Sequence, residues 1–242
     1  TQMNKKNYKP FKFKEFTIHQ NNAAMKIGTD GILLGAWADL SDKKKGIDIG
    51  SGTGVISIML CQRNEILEID SIEVSERAVV DAKKNIKNCK WNKRIKLKHT
   101  DLKLFSTENK YDLIISNPPY FKKSLKPKDL DRLKARHEES LNYKDVLNFS
   151  EKHLLKKGTI NLILPIDQKQ EVIEYAGKFG LYISKECIVS PKPNKNPHRL
   201  LIELSKTKKI LESQALIIEN DGRHNYTDNY KKLTREFYTI FE

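Results

Sequence analysis

Strand-like and helix-like stretches alternate along the chain from about residue 45 to residue 165, and this alternation limits the possible fold more than any other feature. The strand-like KGIDIG leads into TGVISIMLCQR, in which Val55, Ile58 and Met59 have helical spacing. Alternating strands and helices predict a mostly parallel sheet with helices on both faces. We therefore expect an α/β protein with a Rossmann-like sheet.

The remaining stretches extend this pattern. ILEIDSIEV, RIKLKH, YDLIIS and TINLILP read as strands, and SERAVVDAKKNIKNC and DQKQEVIEYAGKFG read as helices. Ser75 is placed to cap the first of these helices, and YKDVLNFSEKHLLKKG predicts a further helix that ends at Gly158. LYISKECIVSP and HRLLIELSK, joined by PKPNKNP, predict a hairpin that adds an antiparallel C-terminal strand. The predicted sheet has about seven strands in all.

The chain divides into three parts on this interpretation. Residues 1–40 precede the first core strand, and we expect them to cover the cleft at the carboxyl edge of the sheet. Residues 41–205 form the core. Residues 206–242 form a C-terminal extension packed on the core, in which ILESQALIIE suggests a strand and DNYKKLTREFYTIF a terminal helix.

Charge and cysteine content narrow the function classes. The net charge is +14, from 45 basic and 31 acidic residues. Such an excess favours a polyanionic partner such as nucleic acid, although an AT-rich genome would also enrich a chain in Lys. The three cysteines lie far apart and match no metal spacing, which fits free thiols in a reducing cytoplasm. No apolar run approaches the roughly 20 residues of a membrane span, and the polar, basic start predicts no signal peptide.

The stretch DIGSGTG places Asp48 at a strand end and Gly50, Gly52 and Gly54 in the turn into a helix. Glycines there allow close approach of a ligand to the backbone. The dinucleotide pattern G-x-G-x-x-G fails because Val55 stands at the third glycine position, and no G-x-x-x-x-G-K-[ST] is present. An acidic residue followed by G-x-G-x-G resembles the first motif of class I S-adenosylmethionine-dependent methyltransferases, whose cationic cofactor suits a nearby carboxylate. The alternative is a tight turn with no ligand.

Two more acidic residues follow predicted strands. Glu73 stands 73 − 54 = 19 positions after the last loop glycine, close to the spacing of about 20 residues for a ribose-binding carboxylate. Asp101 follows the third strand, where the resembled class has an acidic residue that accepts a hydrogen bond from the adenine amine. Alone, Glu73 would be a solvated strand end and Asp101 a helix cap. After the glycine loop, we predict that both bind the cofactor.

The stretch YDLIISNPPYF ends a buried strand on a stiff corner, because Pro118 and Pro119 fix two φ angles and remove two backbone donors. Motifs of the form N/D-P-P-Y/F/W mark methyltransferases that act on planar amide or exocyclic amine nitrogens. The Asn117 side-chain oxygen and the Pro118 carbonyl can each accept a hydrogen bond from one N–H of such an amine, and Tyr120 can stack on its base. We predict Asn117, Pro118 and Tyr120 as catalytic residues, with Asn117 also at the cofactor. A plain Pro-Pro strand terminator is the alternative.

Four motifs together narrow the resemblance: AMKIGTDGILLGAW, DIGSGTG, NPPYF and ARHE. From about Phe13 to Leu204 the chain resembles the family of bacterial tRNA1(Val) (adenine-N6)-methyltransferases. The resemblance implies a class I methyltransferase fold. It implies S-adenosylmethionine as cofactor, S-adenosylhomocysteine as product, no metal, and an adenine next to the anticodon of a valine tRNA as target. It also implies that part of the N-terminal motif folds over the cofactor cleft, namely Lys26, Gly28, Thr29 and Asp30. Thr29 and Asp30 can at the same time cap the helix that follows.

The resemblance implies a tRNA substrate held by basic residues near the cleft. The candidates are Lys122, Lys123, Arg136, His137, His198 and Arg199. For each lysine, a solvated surface position is the alternative. We expect a cytoplasmic protein with no membrane association and no obligate protein partner.

Other functions stay open at this point. The same corner occurs in enzymes that methylate the N5 amide of a protein glutamine, and it could serve DNA adenine or rRNA guanine. The net charge and the lack of a separate N-terminal helical domain count against the protein substrate. A cofactor-binding RNA-binding protein without catalysis is a different class, which the intact Asn117, Pro118 and Tyr120 disfavour.

Overall fold

The computed structural model describes residues 8–120 and 140–241, and an eight-stranded sheet lies at its centre. A separate two-stranded ribbon precedes it, formed by β1 (Phe11–Lys12) and β2 (Thr17–Ile18). The strands of the large sheet are β3 (Lys45–Ile49), β4 (Glu68–Glu73), β5 (Ile95–His99), β6 (Tyr111–Ser116), β7 (Leu154–Pro165), β8 (Tyr182–Ser190), β9 (Arg199–Ser205) and β10 (Glu212–Ile217). Their spatial order is β10-β8-β9-β7-β6-β3-β4-β5.

The sheet is mostly parallel, as the alternation predicted. Strands β3 to β7 pair in parallel, and β9 runs antiparallel between β7 and β8. The C-terminal hairpin is therefore confirmed. The count of seven strands was one too low, because β10 of the C-terminal extension pairs in parallel with Lys185–Ser190. Without β10, β8 would present a row of unpaired backbone groups at the sheet edge.

Helices cover both faces of the sheet, as predicted. They are α1 (Thr29–Trp37), α2 (Val55–Arg63), α3 (Glu76–Asn88), α4 (Tyr143–His153), α5 (Lys169–Gly177) and α6 (Asp228–Thr234). Helices α1, α2, α3 and α6 share one apolar core with one face, and α4 and α5 share a second core with the other. Strand β6 shows the alternation, because Leu113 and Ile115 enter the first core and Ile114 enters the second. Among the described residues, no helix has the length and apolar character to cross a membrane.

The predictions made for the helix ends were partly correct. The Ser75 side chain accepts a hydrogen bond from the Ala78 amide, so the predicted cap is confirmed. The helix predicted to end at Gly158 ends at His153 instead, because the backbone is already extended at Leu154. Gly158 lies inside β7, where the register with β6 is irregular. A Cβ there would lie 3.0 Å from the Tyr111 carbonyl oxygen, so the glycine permits a close backbone approach.

Candidate active site

Four adjacent strands deliver the glycine loop, Glu73, Asp101 and Asn117 to one edge of the sheet. In the pairing of β3 with β6, Asp48 lies opposite Ile115. Continuing this register by two residues brings Gly50 level with Asn117. The Ser116 hydroxyl donates to the Ile49 carbonyl over 2.7 Å, which ties the two strand ends together. Because the strands are parallel, their carboxyl ends meet at one crevice, where ligands bind in open α/β sheets.

The glycine loop begins this crevice. Gly50 and Gly52 have φ angles of +72° and +56°, which L side chains rarely adopt. The amides of Gly50 and Ser51 both donate to the Ile72 carbonyl, so the loop is anchored to the neighbouring strand. A Cβ on Gly50 would lie 2.6 Å from the Leu141 side chain, whereas one on Gly52 would meet no atom within 4 Å. Gly52 therefore presents bare backbone to open space.

Glu73 is joined directly to this loop. Its two carboxylate oxygens accept hydrogen bonds from the amides of Gly52 and Ser75, each over 2.7 Å. The side chain is buried yet lines the crevice, with Asp101 close by at the end of the next strand. Asp101 also caps a short 3₁₀ turn by accepting from the Lys103 amide, so the capping alternative is correct as well. Each carboxylate oxygen has a second lone pair for a ligand.

These groups enclose a cavity of about 280 Å³, at the lower end of the usual size of small-molecule sites. Its floor and walls include Gly50, Gly52, Glu73, Asp101 and Asn117. The N-terminal segment adds Ala23, Ala24 and Met25, and the residues just before α4 add Ser140 and Leu141.

Asn117 contributes the most informative atom. Its side-chain Oδ1 is buried and has no hydrogen-bond partner among the described residues. A buried acceptor without a donor costs about 1–3 kcal/mol. An acceptor left unpaired beside a cavity is therefore available to a donor that arrives with a ligand.

Asp48 lies underneath the loop and does not line the cavity. One carboxylate oxygen accepts from the amide and hydroxyl of Ser57, while Oδ1 has no partner among the described residues. Burial raises the pKa of Asp48 to about 7, and the negative charge of Glu73 adds to the effect. Asp48 thus supports the loop, and its direct contact with a cofactor stays a prediction.

Tyr120 is held by residues far away in the chain. Its hydroxyl donates to Asp30 Oδ2, which also accepts from Arg199 Nε over 2.8 Å. The Arg199 guanidinium lies 4.5 Å from the centre of the Tyr120 ring and donates to its hydroxyl. Burial and the hydrogen bond to Asp30 raise the pKa of Tyr120 to about 12, so the phenol stays protonated at neutral pH.

Comparisons with known proteins agree with this geometry. The family model described as the methyltransferase small domain matches residues 22–171. A tRNA1(Val) (adenine(37)-N6)-methyltransferase from Bacteroides fragilis is 40% identical over 231 residues, covering 94% of this chain and 97% of the relative. A protein of the same name from Trichodesmium erythraeum is 38% identical, with coverages of 94% and 97%. The chain belongs to the tRNA1(Val) (adenine(37)-N6)-methyltransferase family.

The fold agrees with this membership. The crystal structure of a predicted O-methyltransferase from Agrobacterium tumefaciens superimposes with a TM-score of 0.65 at 21% identity, covering 86% of this chain and 96% of that one. The Rossmann-like class I methyltransferase fold expected from the motifs is therefore confirmed, and so is the resemblance on which that expectation depended.

In this family member, the N-terminal residues proposed for the cofactor are not among the residues that line the cavity. The Lys26 ammonium donates to the carbonyls of Gln20 and Ala23, which shapes the segment. Asp81 of α3 accepts from the amides of Asn22 and Ala23 and so fixes the residues that do line the cavity. Gly28 is the N-cap of α1 and has no side-chain cap, so the predicted capping by Thr29 and Asp30, which lie inside the first turn, is wrong. Gly28 and Thr29 line a different groove, and Asp30 contacts Tyr120. Direct cofactor contact by Lys26, Gly28, Thr29 and Asp30 stays a prediction.

The residues proposed for RNA fall into two groups. Lys122, Lys123, Arg136 and His137 lie outside the described residues. His198 and Arg199 lie at the start of β9, next to Tyr120. Burial and the positive charge of Arg199 lower the pKa of His198, so it favours the neutral form. RNA contact by these six residues stays a prediction.

Sequence reasoning missed several residues of the cavity. Met25 and Val74 are large apolar side chains that are exposed and line it, and both offer an apolar surface to a planar ligand. Val74 directly follows Glu73, so its position after a strand-end carboxylate was a usable signal. Ser140 and Leu141 precede α4 and had no recognisable motif. The three cysteines are buried, as expected of free structural thiols.

Proposed function

We propose that this protein transfers a methyl group from S-adenosylmethionine to the exocyclic N6 amine of the adenine next to the anticodon of a valine tRNA. Its relatives carry that activity in their names. The observation that carries the proposal is the buried Asn117 Oδ1, which has no hydrogen-bond donor among the described residues and lies on the same cavity as the glycine loop and Glu73. We further propose a cytoplasmic location, because tRNA is the substrate.

The residues present fit this cofactor. Glu73 and Asp101 offer carboxylate oxygens to the ribose hydroxyls and the adenine amine. Gly52 exposes backbone beside open space, and no phosphate-binding motif is present. When bound, the cofactor supplies a methyl group on a cationic sulfur. A site lined by carboxylates suits a cation better than it suits a pyrophosphate.

The corner after β6 would prepare the target amine. The lone pair of an exocyclic amine is delocalised into its ring, which makes the amine a poor nucleophile. The Asn117 side-chain oxygen and the Pro118 carbonyl would each accept a hydrogen bond from one N–H of the amine, which favours a more pyramidal nitrogen. The prolines hold these acceptors in place before the substrate arrives, so little reorganisation is needed in the transition state. The nitrogen becomes acidic on methylation and loses one proton to water, which requires no strong base.

An anticodon loop suits this site. Its bases are already outside a duplex, so bringing one to the corner costs less than flipping a paired base. Tyr120 would stack on the adenine, as aromatic side chains do with unstacked bases. The excess of basic residues would hold the phosphates.

The test is to incubate the protein with methyl-labelled S-adenosylmethionine and tRNA from cells that lack this modification, followed by nucleoside analysis. We expect label in N6-methyladenosine of valine tRNA, and none when the tRNA is already modified. Parallel reactions with DNA, ribosomal RNA and protein test the other planar nitrogens. Label that appears only in one of those reactions would overturn the proposal.

A further inference from the structure

Three distant segments meet at Tyr120. Asp30 comes from the first turn of α1, Tyr120 ends the stiff corner, and Arg199 begins β9. One oxygen, Asp30 Oδ2, accepts from both the Tyr120 hydroxyl and Arg199 Nε. The side chains of Asp30 and Arg199 are only 18% and 19% exposed, so the pair is partly withdrawn from water. A hydrogen-bonded ion pair in that position has a defined geometry.

The Arg199 guanidinium donates three hydrogen bonds at this contact. Its Nε donates to Asp30, its Nη2 to the Tyr120 hydroxyl and its Nη1 to the His198 carbonyl over 3.0 Å. Burial lowers the pKa of Arg199, but its hydrogen bonds and charge interactions with Asp30 and Tyr120 outweigh that effect and raise it. The guanidinium is neutralised locally by Asp30. These contacts therefore suit a side chain that positions Tyr120 better than one that is free to bind a phosphate.

The guanidinium also covers the ring. Its carbon lies 4.5 Å from the ring centre, within the range of a cation–π contact. A base cannot stack on the face that the guanidinium already occupies. Stacking by a planar substrate would therefore use the face opposite Arg199.

We propose that Asp30 and Arg199 are positioning residues that hold the Tyr120 ring at one angle, so that the target base stacks on the face opposite the Arg199 guanidinium. This inference rests on the proposed function. It assigns to the N-terminal GTDG motif a role at the substrate side of the site. Asp30 and Arg199 act through Tyr120.

The test compares turnover and binding in single and double variants. In Asp30→Asn, we expect kcat at saturating tRNA to fall by at least about tenfold, within the loss of up to about a hundredfold that a 1 Å misplacement can cause. Cofactor affinity, measured by calorimetry, should stay unchanged if Asp30 acts through Tyr120 alone; a weaker affinity would instead support the direct cofactor contact predicted from the sequence. Arg199→Lys keeps the charge but loses the planar fork, so it should lower kcat in the same way.

A double-variant cycle separates positioning from a general structural role. In a Tyr120→Leu background no ring is left to position, so Asp30→Asn should cause no further loss of turnover. A second cycle pairs Asp30→Asn with Tyr120→Phe and measures unfolding free energies, so it needs no substrate. In this cycle the two changes in unfolding free energy should not add.

Asp70 of β4 offers a matched control, because it lies towards the amino ends of the strands and does not line the cavity. It accepts from the hydroxyl of buried Tyr111 over 2.8 Å and pairs with Lys45 over 3.6 Å. Asp70→Asn makes the same chemical change away from the cavity, so it should lower stability without lowering the turnover of folded protein.

The outcomes separate this inference from the proposed function. If the wild-type protein methylates tRNA and Asp30→Asn does so at the same kcat, the inference is wrong. It is also wrong if Asp30→Asn and Tyr120→Leu lower kcat by independent factors. Unchanged kcat with a higher KM for tRNA in Arg199→Lys would make Arg199 a phosphate ligand instead. Failure of the wild-type protein to methylate any tRNA would overturn the proposed function itself.

Discussion

Replacing Asn117 with alanine should separate stability from activity. The variant removes a buried Oδ1 that has no hydrogen-bond partner among the described residues. That unpaired atom costs the folded protein about 1–3 kcal/mol. The packing lost with such a short side chain is of the order of 1 kcal/mol. The net change in unfolding free energy should lie between about 0 and +2 kcal/mol, and each kcal/mol raises Tm by about 2–4 °C in a chain of this size.

Turnover should change in the opposite direction. Removing one preorganised hydrogen-bonding group from a transition-state site lowers kcat by about 10²–10³, or about 2.7–4 kcal/mol. Because the acceptor acts mainly in the transition state, cofactor affinity should be nearly unchanged. The assay combines single-turnover methyl transfer to tRNA, calorimetric binding of the cofactor and thermal unfolding.

Asn161→Ala is the matched control for this experiment. Asn161 is also a buried amide whose Oδ1 lacks a partner among the described residues, but it lies on β7 and does not line the cavity. It should leave the turnover of folded protein unchanged. Near-normal turnover in Asn117→Ala, or a loss of activity that follows a loss of folded protein, would refute the role given to the Asn117 oxygen.

Three further predictions concern the backbone, the pH response and the RNA surface. Gly158→Ala should destabilise the protein by about 1–3 kcal/mol in urea unfolding, because its Cβ would lie 2.7 Å from a Leu154 methyl and 3.0 Å from two carbonyl oxygens, whereas Gly177→Ala, with no atom within 4 Å, should not. Since burial raises the pKa of Asp48 from 3.8 to about 7, the folded protein retains a proton there that the unfolded chain has released. Stability should therefore fall as pH rises through this window, and Asp48→Asn should remove that part of the decline; an unaltered profile would contradict the buried carboxyl. Affinity for tRNA in filter binding should fall steeply with added salt, and a flat response would exclude phosphate contacts by the basic surface.

Much of the fold, and five of the eighteen residues that line the cavity, followed from local patterns. The strand before the glycine loop, the loop and the strand before Asn117 each have a short, unambiguous signature. One topological rule then brought them together, because the carboxyl ends of parallel strands share an edge. Glu73 and Asp101 were predictable for the same reason, since each follows a strand of that sheet.

The rest depended on contacts between distant parts of the chain. Asp30 and Tyr120 are 90 positions apart, and Tyr120 and Arg199 are 79 apart, so no local pattern links them. Gly158 misled because a glycine can end a helix or admit a close backbone approach, and the neighbouring leucines fit either structure. The tenth strand was read only as a possible strand, since nothing local shows which edge it would join.

The backbone determines where the Asn117 side chain lies relative to the glycine loop. Strands β3 and β6 are hydrogen-bonded neighbours in a fixed register, and a slip of one residue would turn every side chain of β6 to the opposite face. Leu113 and Ile115 would then leave one core and Ile114 the other, so the register is held by burial along the whole strand. The two prolines extend that rigidity past the end of the strand. The acceptor and the loop are therefore held together by the same packing that stabilises the fold, and only the ring of Tyr120 requires separate support from Asp30 and Arg199.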